Sequence, residues 1–177
     1  MPTNLLKRYN EFLELLHYDE VQRTQSLRLI FNRDISDNDQ FLFRSKVIRP
    51  LKKEGEVDME TLFAHLTKKT QQTTDENGRK IKSRDIFDIE RSKRLHWIWH
   101  HIQELKNDLK IFSIKERKDG RDVIRTYIYD EAEEYVIVLE PQRSNQDYYL
   151  LSAYYLDEPW ASKNMRKKWK RKLQELY

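Results

Sequence analysis

The residues best suited to chemistry fall on two predicted strands, where arginine, serine and tyrosine alternate with apolar side chains. Successive side chains of a strand point to opposite faces. On the first of these strands, Arg125 and Tyr127 therefore share a face, and on the second, Ser152 and Tyr154 do so in the same way. If the two strands belong to one antiparallel sheet, all four side chains can meet on a single polar and aromatic face.

Such a face suits a polyanion with unpaired bases. An arginine can bond two phosphate oxygens and stabilise the charge that develops during phosphoryl transfer. Tyrosine rings stack on unpaired bases, at roughly 1–3 kcal/mol per base, and a serine hydroxyl can bond a phosphate oxygen. The alternative interpretation is a half-exposed sheet face on which tyrosine is present because it favours strands.

Two histidines are candidate acid–base groups, because an unperturbed imidazole has a pKa of about 6.5. His96 and His100 are one helical turn apart and can face a common ligand. The segment HWIWH lacks the glutamate of the zinc-protease pattern and an obvious third ligand, so we predict no metal and no cofactor. A surface or partly packed cluster is the other interpretation. We assign His17 and His65 structural roles.

Basic charge is concentrated in one segment near the end of the sequence. Residues 163–172, KNMRKKWKRK, hold seven basic residues and no acidic one, and without these seven the net charge of +4 would become −3. Like charges at helical spacing repel, and a polyanion or an acidic protein would relieve that repulsion. We predict that Lys163, Lys167 and Arg171 contact a substrate backbone. Otherwise the segment is a solvated face whose stems shield Trp169.

Composition also limits the protein class. The 177-residue chain has no cysteine, which excludes disulfides and thiolate metal sites. It has no apolar run of about 18 residues and no secretory signal, so we predict a cytoplasmic protein that does not contact membranes.

Helical patterns dominate the first half. Residues 3–17 and 19–32 place apolar side chains at helical spacing. They form a predicted helical N-terminal extension, residues 1–39. Asp58 caps a further helix, and Asp88 caps a central helix predicted to run without a break past the histidines.

Strand patterns dominate the second half. Asn77-Gly78 marks a turn in a polar stretch predicted to be a loop or a hairpin. The stretches KIFSIKE, DVIRTYIY, EYVIVLE and YYLLSAYYL then predict an antiparallel meander, and Pro159 begins a basic C-terminal helix. The predicted fold is α+β, with helices packed on one face of a small sheet of about four antiparallel strands, in a domain of residues 40–177.

Several motifs resemble those of a known family. They are D-x-E-R-x-x-R-L-x-W-I (88–98), R-x-Y-I (125–128), YVIVL (135–139) and YYLLSAYYLD (148–157). This order is similar to that of phage-associated nuclease domains of the Barnase/EndoU/colicin/RelE-like superfamily, over roughly residues 40–172. The resemblance implies N-terminal helices on a four-stranded antiparallel sheet whose other face binds RNA. It also implies a metal-independent ribonuclease, often a toxin in conflicts between bacteria, phages and mobile elements.

The resemblance also implies site residues. The family's arginine falls on Arg125, its Ser/Thr-x-Tyr pattern on Ser152 and Tyr154, and its helix pattern on Arg94 and the residues that follow. His96 stands where relatives often have proline.

The expected reaction is attack of an RNA 2′-hydroxyl on the adjacent phosphate. Arg125 is expected to stabilise the transition-state charge, Ser152 to bond a phosphate oxygen, and Tyr154 to act in positioning or as an acid. His96 or His100 is the expected general base or acid. Arg94 is expected to make a second phosphate contact, and Tyr127 to bind substrate.

The expected partners are an RNA (tRNA, mRNA or rRNA) and an antitoxin or immunity protein, with no DNA specificity. The alternative is a non-catalytic module that binds RNA or an acidic protein through its basic helix. A further hypothesis makes residues 1–39 an inhibitory or antitoxin-docking arm.

Overall fold

The computed structural model describes residues 3–53, 56–142 and 146–177, which form an α+β fold. The helical elements are a 3₁₀ turn at Thr3–Leu6, α1 (Glu20–Phe31), a π-helical turn at Asn32–Ser36, α2 (Met59–Thr67), α3 (Ile89–Ser92), α4 (Trp97–Ile102) and α5 (Pro159–Lys170). The strands are β1 (Leu42–Phe43), β2 (Lys46–Pro50), β3 (Lys52–Lys53), β4 (Glu56–Val57), β5 (Lys68–Thr74), β6 (Lys80–Phe87), β7 (Lys110–Lys118), β8 (Arg121–Asp130), β9 (Tyr135–Pro141) and β10 (Asp147–Tyr155). Within the described ranges, no helix has the length and apolar character needed to cross a bilayer.

The main sheet has six strands in the order β1-β2-β10-β9-β8-β7. The last four form the predicted antiparallel meander, but β2 joins β10 in parallel. Two further pairs, β3–β4 and β5–β6, form separate two-stranded sheets. The prediction of a small, about four-stranded antiparallel sheet is therefore wrong. Residue alternation identifies strands, but it does not show that β2 pairs with a strand about a hundred residues away.

Helices cover both faces of the sheet, so the prediction of helices on one face is also wrong. The first face carries Ile128 and Ile137, and α1, α2 and α4 pack against it. The second face carries Tyr127 and Val138, and α5 packs there through Met165. The basic helix thus helps to build a core, since its apolar stripe faces the sheet while its charges remain outside it.

The N-terminal segment is mostly irregular after the 3₁₀ turn at Thr3–Leu6, not the helix predicted for residues 3–17. Leu13 and Leu15 are buried in the first-face core, whereas Leu16 is 85% exposed, which is the period of an extended chain. The Asn4 side chain stabilises this path by bonding the backbone of Glu14 at both its amide nitrogen and its oxygen. This segment and residues 40–177 contribute side chains to one hydrophobic core. The domain boundary after residue 39 remains a prediction.

The predicted central helix is two short helices, α3 and α4, joined by a tight turn. Within the turn, the amide nitrogens of Leu95 and Trp97 bond carbonyls three residues back, as in a 3₁₀ helix. The turn brings Trp97 and His101 into the core, where neither is exposed. An unbroken helix would have put both on its far side. The Trp97 indole also donates to the carbonyl of Glu11, 3.1 Å away.

Candidate functional site

Helix α5 covers only half of the second face of the sheet. The covered half includes Tyr129 and Val136, which have no exposed surface. The other half holds Arg125 and opens into a cavity of about 490 Å³. We call this cavity the cationic cleft. It is lined by Ile114, Lys115, Glu116, Arg117, Lys118, Arg125, Lys168 and Arg171.

The cleft brings together residues from three elements. Strand β7 supplies Glu116, β8 supplies Arg125, and α5 supplies Lys168, with Arg171 directly after its last residue. On this face of the sheet the lining holds four cationic side chains (Lys118, Arg125, Lys168 and Arg171) and the carboxylate of Glu116. The side chains of Lys115 and Arg117 alternate to the other face, where they pair with Asp122. Among the described residues, neither Lys118 nor Arg171 has an ion-pair partner, so part of this charge is not neutralised within the protein. A cavity with this excess of positive charge attracts anions.

Glu116 is the centre of a hydrogen-bonded cluster in the cleft. The Lys168 ammonium donates to Glu116 Oε1 at 2.5 Å and to the Tyr127 hydroxyl at 2.8 Å. That hydroxyl donates to Glu116 Oε2 at 2.9 Å. The Arg125 Nη1 atom lies 3.6 Å from the same carboxylate oxygen. The cluster therefore joins a carboxylate, an ammonium, a guanidinium and a phenol within direct contact.

The surroundings keep this cluster charged at neutral pH. Burial alone would raise the pKa of Glu116, but the hydrogen bond and charge of Lys168, with Tyr127 and Arg125, hold it below its usual value. Burial and then the charge of Glu116 raise the pKa of the Tyr127 phenol. Glu116 is therefore an ionised acceptor, and Tyr127 is a neutral donor.

Arg125 lies between two carboxylates without a close hydrogen bond to either. Its guanidinium is 3.6 Å from Glu116 and 3.9 Å from Glu140. Its buried Nε has no hydrogen-bond partner among the residues that the structure describes. Because a guanidinium has five N–H donors, Arg125 retains donors for an incoming phosphate.

A second polar group lies beyond the cleft, along the part of β10 that no longer pairs with β2. Strand β2 pairs with β10 only as far as Leu150, and α2 and α3 pack along the remainder. From α3, Arg91 Nη1 reaches Ser152 Oγ at 3.4 Å, and its guanidinium lies 5.8 Å from the Tyr154 ring centre. We call His65, Arg84, Arg91, Ser152 and Tyr154 the β10-edge cluster.

His65 is the histidine that the structure brings to this face. Burial lowers its pKa, and the charges of Arg84 and then Arg91 lower it further, although a hydrogen bond with the Leu151 backbone opposes this. The sequence contains no signal for this placement, because His65 has no histidine or motif near it. Its surroundings exist only once α2, α3, β6 and β10 have packed.

The titration of His65 gives a direct test of this cluster. We expect its pKa to lie below the ordinary value of about 6.5. Replacing Arg84 by glutamine should raise it towards that value, because a neighbouring positive charge is removed. Imidazole proton shifts followed by NMR across pH 4–9 measure the change. The matched change Arg79→Gln, at the β5–β6 turn, should leave the titration unaltered. An unchanged pKa in Arg84→Gln would show that the two groups do not interact.

The structure places four predicted residues on the same face. Arg125 and Tyr127 lie on β8, and Ser152 and Tyr154 lie on β10, with Val138 of β9 between Tyr127 and Ser152. Tyr127 is only 1% exposed, so its ring cannot stack on a base as predicted. It holds Glu116 instead. Tyr154 remains partly exposed.

Three other predicted residues lie on the first face, and the sheet separates them from Arg125. Burial lowers the pKa of His96 to about 4, and its Nε2 lies 3.3 Å from the Arg8 carbonyl. His100 stacks on Tyr9 with ring centres 4.1 Å apart. Arg94 is buried, with its guanidinium 4.0 Å from the Tyr155 ring centre. These three side chains do not reach the cleft, because α4 and the turn that precedes it pack against the opposite face.

Helix α5 presents different basic residues to the cleft from those predicted. Arg171 lines it, but Lys163 and Lys167 are exposed elsewhere on the helix. Lys168 takes the central position, which the sequence did not predict. Its position follows from the apolar stripe, since Met165 and Trp169 face the sheet and place Lys168 at the edge of the contact.

The ionisable residues form no metal-binding group in the part of the chain that the structure describes. There, no three His, Asp or Glu side chains are placed to hold a metal ion. The first-face pair His96 and His100 accordingly lacks a third ligand.

No protein-family model matches the chain, and searches of the curated proteins and of the solved structures find no similar protein. The resemblance to phage-associated nuclease domains therefore remains a prediction from short motifs.

Proposed function

We propose that the protein binds RNA in the cationic cleft and cleaves it, as a metal-independent, toxin-type ribonuclease. The observation that carries the proposal is the lining of the cleft, where the cationic side chains of Lys118, Arg125, Lys168 and Arg171 surround the carboxylate of Glu116. The RNA backbone carries one negative charge per nucleotide and binds to such clusters. A carboxylate among cations adds a group that can accept a proton beside the bound phosphate.

The proposed reaction uses only groups of the cleft. Glu116 accepts the proton of the 2′-hydroxyl, whose oxygen attacks the adjacent phosphorus. The bond from phosphorus to the 5′ oxygen breaks, and Lys168 donates a proton to that leaving oxygen. The products are a 2′,3′-cyclic phosphate and a 5′-hydroxyl. Arg125 stabilises the charge on the phosphorane oxygens.

One observation favours a second candidate, a module that binds RNA without cleaving it. The pKa of Glu116 is lowered by Lys168, Tyr127 and Arg125, which makes the carboxylate a weak base. A phosphate that displaced Lys168 from Glu116 would restore its basicity, whereas a phosphate bound at the rim would leave the ion pair intact. The two candidates therefore differ in where the phosphate binds.

The remaining sequence-based expectations belong to this proposal. An antitoxin or immunity protein would present carboxylates to the same cations, so RNA and inhibitor would compete for the cleft. The cytoplasmic location is part of the same hypothesis. So is the absence of DNA specificity, since attack by a 2′-hydroxyl requires ribose.

Cleavage assays in EDTA test the proposal. We expect wild-type protein to cut a mixed-sequence RNA in EDTA and to leave 2′,3′-cyclic phosphate ends. Glu116→Gln should cut about 10²–10⁴-fold more slowly, because it lacks the general base. Lys163→Ala, on the same helix as Lys168 but outside the cleft, serves as the matched control and should retain activity.

The possible outcomes separate the candidates. Cleavage of an oligonucleotide that lacks every 2′-hydroxyl would contradict the proposed attack. Salt-sensitive binding with no cleavage would support the binding module instead. A wild-type protein that neither binds nor cuts RNA would exclude both functions.

A further inference from the structure

Two arginines of the β10-edge cluster, Arg84 and Arg91, form few ion pairs with the described carboxylates. Arg84 of β6 has no ion-pair partner among the described residues, and its guanidinium makes a 3.5 Å contact with the Lys68 carbonyl. Burial and then the charge of Arg91 lower the pKa of Arg84. The nearest carboxylate to Arg91 is that of Asp88, at 3.6 Å. The positive charge of this pair is therefore only partly compensated.

Arg91 retains donors for a ligand. One of its terminal nitrogens donates to the His65 carbonyl and approaches Ser152 Oγ, but its buried Nε has no hydrogen-bond partner in the part of the chain that the structure describes. Together with the Ser152 hydroxyl, Arg84 and Arg91 offer the donors that a phosphate group accepts.

Tyr154 connects this cluster with the cationic cleft. Its ring centre lies 5.8 Å from the Arg91 guanidinium, and its side chain shares the second face of the sheet with Arg125 of the cleft. Its ring is partly exposed, so an unpaired base can stack there. A base within a duplex is already stacked and paired, which makes an unpaired strand the matching ligand.

We propose that the β10-edge cluster is a second phosphate site, so that one single-stranded RNA runs from Arg125 in the cleft, past Ser152 and Tyr154, to Arg84 and Arg91. This inference rests on the proposed function and specifies its substrate class. The substrate is an unpaired segment of several nucleotides, with a base stacked on Tyr154 between two bound phosphates.

Binding of oligonucleotides of two lengths tests this path. The probes are fluorescein-labelled, 2′-O-methylated single strands of two and nine nucleotides, which cannot be cut by 2′-hydroxyl attack, with binding followed by anisotropy. We expect Arg84→Gln to weaken binding of the nine-nucleotide strand by roughly tenfold or more. The slope of log affinity against log salt should become shallower by about 0.7, the value of one lost phosphate contact on a single strand. Binding of the dinucleotide, which fits within the cleft, should stay unchanged.

Two variants complete the experiment. Arg79→Gln removes an equal charge at the tip of the β5–β6 hairpin and should affect neither probe. Tyr154→Leu removes the stacking ring and should weaken binding of the longer strand about 5- to 100-fold. Thermal unfolding of each variant checks that the fold is retained.

Each result supports or overturns the path. If Arg84→Gln binds both probes as the wild type does, the second site is absent while the proposed function can stand. A blunt RNA duplex that binds as tightly as the nine-nucleotide strand would overturn the unpaired substrate. If the wild type binds neither probe, the proposed function and this inference both fail.

Discussion

Replacing Arg125 by alanine is expected to slow RNA cleavage by about 10²–10³-fold, which is the effect of removing one group that stabilises a charged transition state. Arg125 lies beside Glu116, and its Nε lacks a hydrogen-bond partner within the described ranges. Its loss should lower kcat more than it weakens substrate binding, because the cationic side chains of Lys118, Lys168 and Arg171 remain in the cleft. Single-turnover cleavage of a defined RNA at saturating protein measures this effect.

A conservative variant separates charge from geometry at the same position. Arg125→Lys keeps the positive charge but loses the planar fork that bonds two phosphate oxygens, so its rate should fall between those of wild type and Arg125→Ala. Both variants remove the guanidinium that lies beside Glu116 and Glu140. The thermal unfolding of each variant protein must therefore be compared with that of the wild type. Undiminished cutting by a folded Arg125→Ala protein would remove this residue from the mechanism.

The largest effect on stability is expected at Asp130, which is 1% exposed at the end of β8. Its carboxylate contacts the His101 ring at 2.9 Å, accepts from Lys106 at 2.7 Å and accepts from the Tyr9 hydroxyl at 3.0 Å. It thus joins the N-terminal segment, α4 and the sheet. Asp130→Ala leaves these donors without their acceptor.

We expect Asp130→Ala to lower the free energy of unfolding by about 3–5 kcal/mol, the usual cost of breaking a buried ion pair. Asp122→Ala is the matched control on the same strand. Asp122 is 46% exposed in its pair with Lys115, so its loss should cost only about 0–1 kcal/mol. Urea unfolding at pH 7 gives both values. Equal effects of the two substitutions would show that the Asp130 network contributes no special stability.

The same carboxylate predicts a dependence of stability on pH. Burial would raise the pKa of Asp130, but hydrogen bonds from His101 and Lys106, with those of the Glu133 amide and Tyr9, hold it well below its usual value. Its pKa in the unfolded chain is about 3.9. A carboxyl with a lowered pKa stabilises the folded state above the unfolded value, and this contribution is lost as the pH falls. The difference in the free energy of unfolding between wild type and Asp130→Asn should therefore become smaller as the pH is lowered from about 5 to 2.

The sequence by itself determined the elements that depend on neighbouring residues. Asp19 and Asp58 each cap a helix by accepting from a backbone amide three residues on. The Asn77-Gly78 signal corresponds to the β5–β6 hairpin, where Gly78 adopts a positive φ. Strand alternation also predicted that Arg125 and Tyr154 would share a face. Such features follow from local hydrogen bonds and from the two-residue period of a strand.

Only the tertiary structure decided which residues meet around the cleft. Glu116, Arg125 and Lys168 come from three elements, and their contact depends on how α5 crosses the sheet. The exclusion of His96 and the inclusion of His65 were decided in the same way, by the face against which each helix packs. No local pattern contains that information, because the free energy that selects a face comes from burying side chains that are distant in sequence.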